Sequence, residues 1–199
     1  MQIDKKRNHI FKINAFFVFI CQMLSMCASF LLIPATMKYI GVSNYGVWIT
    51  LLGIIEWFTL FDIGLGHGFR NKYAECKAKE DYSKMNEYVS TSFFVLLLIS
   101  IVLFIVFCVV TSLLDWALIL NAPQNMGKDL KHLVFFVGSF FCVRFVVSFV
   151  NVLLTADQHP SIPALLMLIG NILALCVVYI LTRITAKPSI FILGVATYA

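Results

Sequence analysis

Hydrophobic residues occur along the chain in long runs that short polar stretches separate. Five runs have the length of about 20 mostly apolar residues that a helix needs to cross a bilayer; they cover residues 13–37, 45–66, 89–113, 133–154 and 162–181. A sixth run begins at Ser189 and stops after 11 residues at Ala199. We therefore expect the sequence to end inside a further transmembrane helix of a longer protein. The pattern predicts an all-α integral membrane fold, a polytopic helical bundle in one region over residues 1–199.

The composition supports a membrane protein. Apolar residues make up 61% of the chain, charged residues 13%, and the mean hydropathy is +0.93. Soluble domains carry roughly 45–50% apolar and about 25% charged residues. The first apolar run is longer than the 7–15 residues, approximately, of a signal-peptide core, so it is predicted to be a retained helix. The six cysteines lack the spacing of metal ligands and are predicted to be free thiols, with no metal and no cofactor.

Lys and Arg are distributed unevenly between the two sides of the predicted membrane. The positive-inside rule favours a cytoplasmic N-terminus, with nine of these residues inside and five outside. The inside set is Lys5, Lys6, Arg7, Lys12, Arg70, Lys72, Lys77, Lys79 and Lys84, and the outside set is Lys38, Lys128, Lys131, Arg183 and Lys187. The connection 71–88 is the longest on the inside and is predicted to be a solvated connector.

Polar residues within two of the runs repeat with the period of a helix. In the first run a stripe about 80° wide holds Asn14, Gln22, Ser25, Ser29 and Thr36. In the fourth run a stripe about 60° wide holds Arg144, Ser148, Asn151 and Thr155. Two such helices predict a bundle that encloses a wet cavity. The alternative is a dry interface in which the polar residues form interhelical hydrogen bonds.

Arg144 is the most informative of these residues, because a guanidinium in mid-membrane costs about 2.5–3.5 kcal/mol on insertion scales. Arg144 and Glu56 each lie about 11 residues into their runs, so we predict that both are near the bilayer centre. They can form a buried ion pair. Alternatively, Arg144 faces a cavity that receives an anionic group, and Glu56 holds or releases it, since guanidinium binds phosphate oxygens with forked donors. The two interpretations are compatible.

The stretch FDIGLGHGFRNK, residues 61–72, contains glycines at every second position, namely Gly64, Gly66 and Gly68. It follows a predicted membrane helix rather than a strand, which argues against a dinucleotide-binding loop. The glycines are predicted to end or loosen the helix at the cytoplasmic surface. Arg70 and Lys72 are then a candidate cytoplasmic entrance at headgroup depth. Asp62 is predicted to pair with Arg70 or Asn71, or to line the cytoplasmic vestibule.

Two segments resemble a known family. Residues 45–75, YGVWITLLGIIEWFTLFDIGLGHGFRNKYAE, resemble the second helix and following loop of bacterial polysaccharide-transport proteins. Residues 153–173, LLTADQHPSIPALLMLIGNIL, resemble the short cytoplasmic turn between helices four and five of those proteins. They are the O-antigen flippases of the multidrug/oligosaccharidyl-lipid/polysaccharide exporter superfamily.

The resemblance implies a two-lobe exporter fold of which this chain is an incomplete N-terminal lobe. The implied function is translocation of undecaprenyl-pyrophosphate-linked oligosaccharide across the bacterial inner membrane. Its partners would be this lipid-linked oligosaccharide, membrane lipids, and a polysaccharide polymerase with other assembly proteins, but no nucleic acid. Arg144 is the residue that would meet the pyrophosphate. The other cavity candidates are Glu56, Asp62, Ser148, Asn151, Gln22 and Ser25.

Other functions stay open at this point. A drug or cation antiporter of the same superfamily should favour acidic cavity residues, whereas Arg144 is basic. A membrane-embedded enzyme of lipid-linked sugar metabolism would need carboxylates or histidines clustered at one face of the membrane. The histidines are scattered instead: His9, His67, His132 and His159. A scaffold that transports nothing is a further alternative. The sequence favours a transporter over an enzyme.

Overall fold

The computed structural model describes residues 2–57, 60–122, 127–184 and 189–198, with side chains from Lys12 onward except at 58–65, 123–129, 196 and 198. Of the described residues 92% are helical, and none is in a strand. The helices are α1 (Gln2–Ile40), α2 (Val42–Glu56), α3 (Leu60–Ala78), α4 (Tyr82–Leu113), α5 (Trp116–Ile119), α6 (Gly127–Ala156), α7 (Ser161–Ile184) and α8 (Ile190–Tyr198). The predicted all-α fold is confirmed.

Four of these helices are long and apolar enough to cross a membrane. The candidate spans within the described residues are Lys12–Ile40 of α1, Tyr82–Leu113 of α4, Leu130–Ala156 of α6 and Ser161–Ile184 of α7. Large apolar side chains cover their outer surfaces, for example Phe16, Phe94 and Met167. Soluble monomers rarely expose contiguous apolar patches larger than a few hundred Å². The protein is therefore a polytopic membrane protein.

The second predicted run, 45–66, is divided between two helices. Helix α2 ends at Glu56 after 15 residues, which corresponds to about 22 Å of helix. That is shorter than the bilayer core of about 30 Å. Helix α3 begins at Leu60. Hydropathy did not reveal the division, because an apolar run has the same hydropathy whether it forms one helix or two.

The glycine stretch lies inside α3, so the prediction that these glycines end a helix was wrong. The alternative, that they loosen the helix, stays a prediction. Helix α3 continues beyond Gly68 to Ala78. A glycine within a helix costs only about 0.5–1 kcal/mol relative to alanine. The helix continues past the glycines with a buried stripe of Phe69, Tyr73 and Cys76, and full burial of a large apolar side chain contributes about 1.5–3 kcal/mol. Packing therefore outweighs the local preference.

The connection between α3 and α4 is much shorter than the predicted 71–88 connector. It consists of residues 79–81, because α4 begins at Tyr82. Glu80 adopts a left-handed conformation with φ 57°. Asp81 caps α4, its carboxylate accepting a hydrogen bond from the Lys84 amide at 3.1 Å. The connector is thus mostly helical, and the two helices extend beyond their apolar segments.

Helix α6 is the centre of the bundle and contacts α2, α3, α4, α5, α7 and α8. Its first turns bury Leu133, Val134 and Val137 completely. Gly138 allows the ring of Phe107 from α4 to approach so closely that a Cβ at this position would overlap it. This close approach explains the glycine in a helix that is otherwise rich in large side chains.

Helices α1 and α7 form the most extensive helix pair. Asn171 of α7 donates a hydrogen bond to the hydroxyl of Ser25 in α1. A cleft between the two helices is lined by Lys38, 13 residues after Ser25 in α1, and by Arg183, 12 residues after Asn171 in α7. The two helices therefore run parallel, side by side.

Candidate functional site

The polar stripe of α6 lies on an exposed side of the described bundle. Arg144 is the fifteenth of the 27 residues in the span Leu130–Ala156, so it is at the middle of that span. Arg144 and Asn151 are exposed, and Ser148 is half-buried. The aromatic side chains of Phe145 and Phe149 are 4% exposed and point into the core. Helix α6 thus buries aromatic residues and presents a polar stripe outward.

The hydroxyl groups of this stripe bond within α6. Ser148 Oγ donates to the carbonyl oxygen of Phe145 at 2.7 Å. Thr155 Oγ1 donates to the carbonyl oxygen of Asn151 at 2.7 Å. Hydroxyls satisfied by their own helix need no neighbouring helix. Their hydrogen bonds therefore leave this side of α6 open for another surface or for water.

Glu56 lies at the end of a helix, whereas its predicted position was the middle of a membrane span. Glu56 is exposed and is the last residue of α2. Its predicted depth rested on a single span over 45–66, and the structure divides that segment after Glu56. The pairing of Glu56 with Arg144 stays a prediction. The side chain of Asp62 lies outside the described residues.

The polar stripe of α1 is divided between a helix contact and the surface. Ser25 is 2% exposed and Thr36 is 3% exposed. Asn171 Nδ2 lies 2.5 Å from Ser25 Oγ, so Ser25 contributes to the contact between α1 and α7. Gln22 and Ser29 are exposed. Sequence reasoning missed Asn171, although a single amide within an apolar run is a detectable signal of interhelical bonding.

The two entrance candidates have different surroundings. Arg70 is half-buried, and its Nε finds no hydrogen-bond partner among the described residues. Lys72 is exposed and contacts Glu75 Oε2 at 3.2 Å, while Lys79 contacts Glu75 Oε1 at 2.8 Å. The hydrogen bonds from Lys79 and Lys72 lower the pKa of Glu75 to about 2. Lys72 is thus one partner in an exposed network of charges.

A polar cluster that the sequence did not predict joins α3 to the turn between α6 and α7. Lys77 Nζ contacts Asp157 Oδ1 at 2.6 Å, and Tyr73 Oη donates to the same oxygen at 3.1 Å. The Lys77 hydrogen bond is the main reason that the pKa of Asp157 is lowered. Burial is the main cause that raises the pKa of Tyr73. The cluster fixes α3 against α6 at one end of the bundle. This end contains the turns at residues 79–81 and 157–160, and we call it the turn end.

Searches among known proteins assign no relative: no protein-family model, no curated protein and no solved structure matches the chain. Within the described residues, no group of three His, Cys, Asp or Glu side chains is arranged to hold a metal ion. The fold and the apolar spans define a polytopic helical membrane protein. The family resemblance stays a prediction.

Proposed function

We propose that this protein translocates lipid-linked oligosaccharide, carried on undecaprenyl pyrophosphate, across the bacterial inner membrane for surface polysaccharide synthesis. Its class would be the polysaccharide-transport or O-antigen flippase family, as the resemblance of residues 45–75 and 153–173 suggests. The proposal includes a cytoplasmic N-terminus, favoured by the distribution of Lys and Arg. The partners proposed are the lipid-linked oligosaccharide, membrane lipids, and a polymerase with other assembly proteins.

The observation that carries the proposal is the exposed position of Arg144 at mid-span. A charged side chain at this depth costs several kcal/mol if it faces lipid tails. The exposed face around Arg144 also carries Asn151, so it is poorly suited to lipid. Such a surface is suited to a water-filled passage or to a second protein surface that lines one. A positive charge in that passage favours an anionic cargo.

The proposed mechanism is alternating access, in which two lobes rock about a site near the membrane midplane. The lipid tail stays in the bilayer while the head group moves through the passage. Arg144 would bind pyrophosphate oxygens with its forked donors. Glu56 would hold or release Arg144 between states, and protonation of Glu56 or Asp62 would couple an ion gradient to the cycle. Ser148, Asn151 and Gln22 would supply further polar contacts.

The test replaces Arg144 in the complete protein and measures surface polysaccharide in a deletion strain. Hydrogen bonds to charged groups contribute about 1.5–3 kcal/mol, so R144A should reduce export roughly 10- to 100-fold. R144K keeps the positive charge but lacks the forked donors of the guanidinium, so it should reduce export less than R144A does. The matched control is K131A, which removes an exposed base from the end of the same helix and should leave export unchanged.

The outcomes separate the leading proposal from its alternatives. Normal export by R144A would remove Arg144 from the mechanism. Loss of drug resistance with normal polysaccharide in the deletion strain would instead favour the antiporter. Thermal unfolding of each purified variant would exclude misfolding as the cause of a loss.

A further inference from the structure

A cleft with two basic side chains in its lining lies between α1 and α7, far from the α6 stripe along the chain. Its volume is about 330 Å³, within the range of roughly 300–1,000 Å³ typical of small-ligand sites. The residues that line it are Pro34, Ala35, Lys38, Tyr179, Thr182 and Arg183. Two of the six are cationic and none is acidic. We call this feature the α1–α7 cleft.

Two hydrogen bonds within the cleft use the Thr182 hydroxyl and one N–H group of Arg183, and the other donors remain available. Arg183 Nη2 donates to Tyr179 Oη at 3.1 Å, and the guanidinium carbon lies 5.5 Å from the centroid of that ring. Because the phenol oxygen accepts this bond, its own O–H remains able to donate. The other N–H groups of Arg183 and the ammonium of Lys38 are further donors. The cleft therefore combines positive charge with several donors, as an anion site requires.

The depth of the cleft matches the headgroup region of a bilayer. The bond between Ser25 and Asn171 lies near the middle of both spans, Lys12–Ile40 and Ser161–Ile184. Lys38 and Arg183 are 13 and 12 residues further along, which corresponds to about 18–20 Å of helix. Half of the hydrocarbon core is about 15 Å. The charged groups of the cleft thus lie just beyond the lipid tails.

We propose that the α1–α7 cleft binds the phosphate headgroup of an anionic phospholipid from the leaflet at the end opposite the turn end. Lys38 and Arg183 contact the phosphate oxygens, and the Tyr179 hydroxyl donates a further hydrogen bond. The small side chains of Pro34 and Ala35 leave the space that the headgroup fills. The site is separate from the passage proposed along α6 and does not depend on a transport function.

The test reconstitutes the full chain in phosphatidylcholine vesicles that contain phosphatidylglycerol and measures retained lipid by native mass spectrometry after mild detergent extraction. The double variant K38Q/R183Q should retain phosphatidylglycerol roughly tenfold less than the unmodified chain, because each base near an anionic headgroup contributes several-fold. The matched control K12Q/K131Q removes the same charge from exposed lysines outside the cleft. It should stay within about twofold of the unmodified chain.

A second variant tests whether lipid retention depends on the shape of the cleft or only on positive charge at the surface. A35F fills the cleft without changing any charge and should also reduce retention. Thermal unfolding confirms that each variant is folded. Equal losses in K38Q/R183Q and K12Q/K131Q would overturn the proposal, as would unchanged retention by folded A35F. Tighter binding of inorganic phosphate than of phosphatidylglycerol would assign the site to soluble phosphate and would also overturn a headgroup site.

Discussion

The polar stripes of α1 and α6 follow the same helical period but meet different surroundings. In α1, Ser25 and Thr36 are buried, and Ser25 bonds to Asn171 of the parallel helix α7. In α6, Arg144 and Asn151 are exposed, and the hydroxyls beside them bond within their own helix. The period therefore predicts which residues share a face. It does not predict whether another helix covers that face.

The chemical nature of the polar group accounts for the difference. A serine hydroxyl is satisfied by one amide on a neighbouring helix, as Asn171 provides for Ser25. A guanidinium carries several donors and a charge, so a dry helix contact satisfies it poorly. A neutral polar stripe can therefore be buried in a helix–helix contact. A stripe with a central cation favours a surface that is in contact with water or a polar partner.

A leucine introduced into each stripe should give very different losses of stability. S25L adds volume to a buried contact and leaves the Asn171 amide without its partner, which should cost about 2–5 kcal/mol. N151L lies on the exposed stripe of α6 and should change the free energy of unfolding by no more than about 0.5 kcal/mol. Thermal and denaturant unfolding in detergent measure both. Equal losses would show that the two stripes have the same surroundings.

Removal of the amide alone should have a smaller effect. N171A leaves α1 unchanged and deletes the two hydrogen bonds from Asn171 Nδ2 to Ser25, at 2.5 Å to Oγ and 3.5 Å to the carbonyl oxygen. The expected cost is about 0.6–1.7 kcal/mol. N151A is the matched control and should be close to neutral. A neutral N171A would mean that the α1–α7 pair is held by apolar packing without help from this bond.

The smallest expected effect is the pH-dependent stability contributed by the ionic cluster at the turn end. The neutral contact between α1 and α7 should contribute none. The pKa of Asp157 is lowered by Lys77, so its stabilising contribution is present above the unfolded pKa of about 4 and is lost as the pH falls through the lower folded value. The pair is partly exposed, with 44% and 38% of the side chains accessible, which limits it to less than about 1 kcal/mol. Melting temperatures of the unmodified chain and D157N should differ at pH 6, and the difference should shrink as the pH falls below the unfolded pKa of about 4. A constant difference would exclude the ionic contribution.

The sequence predicted the apolar spans well, because a long apolar run has few alternatives in a helical protein. Runs 13–37, 89–113, 133–154 and 162–181 all lie within single helices, α1, α4, α6 and α7. The division near Trp57 and the helical continuation to Ala78 were not predicted. The division was not predicted because it leaves the hydropathy of the apolar run unchanged. The second depends on burial of Phe69 and Tyr73, which is a property of the packed structure.

The candidate site was predictable in part for the same reasons. Helical spacing placed Arg144 and Asn151 on one face, and the structure shows both exposed. The partner of Ser25 and the contacts of Asp157 depend on which helices are neighbours. Lys77 and Asp157 are 80 residues apart in the chain, and they meet because α3 packs against α6. A single sequence carries no direct signal for such a pair.

The most direct test of the account is thiol labelling along α6 in the complete protein. Single cysteines at Arg144 and Asn151, in a background that lacks the six native cysteines, should react with a membrane-impermeant maleimide in at least one transport state. Cysteines at Val143 and Val150, which are exposed apolar positions on another side of α6, should not react. We expect labelling at the polar pair to exceed that at the valine pair by roughly tenfold or more, since thiolates form in water and not in hydrocarbon. Protection of all four positions in every state would contradict a water-filled passage beside Arg144.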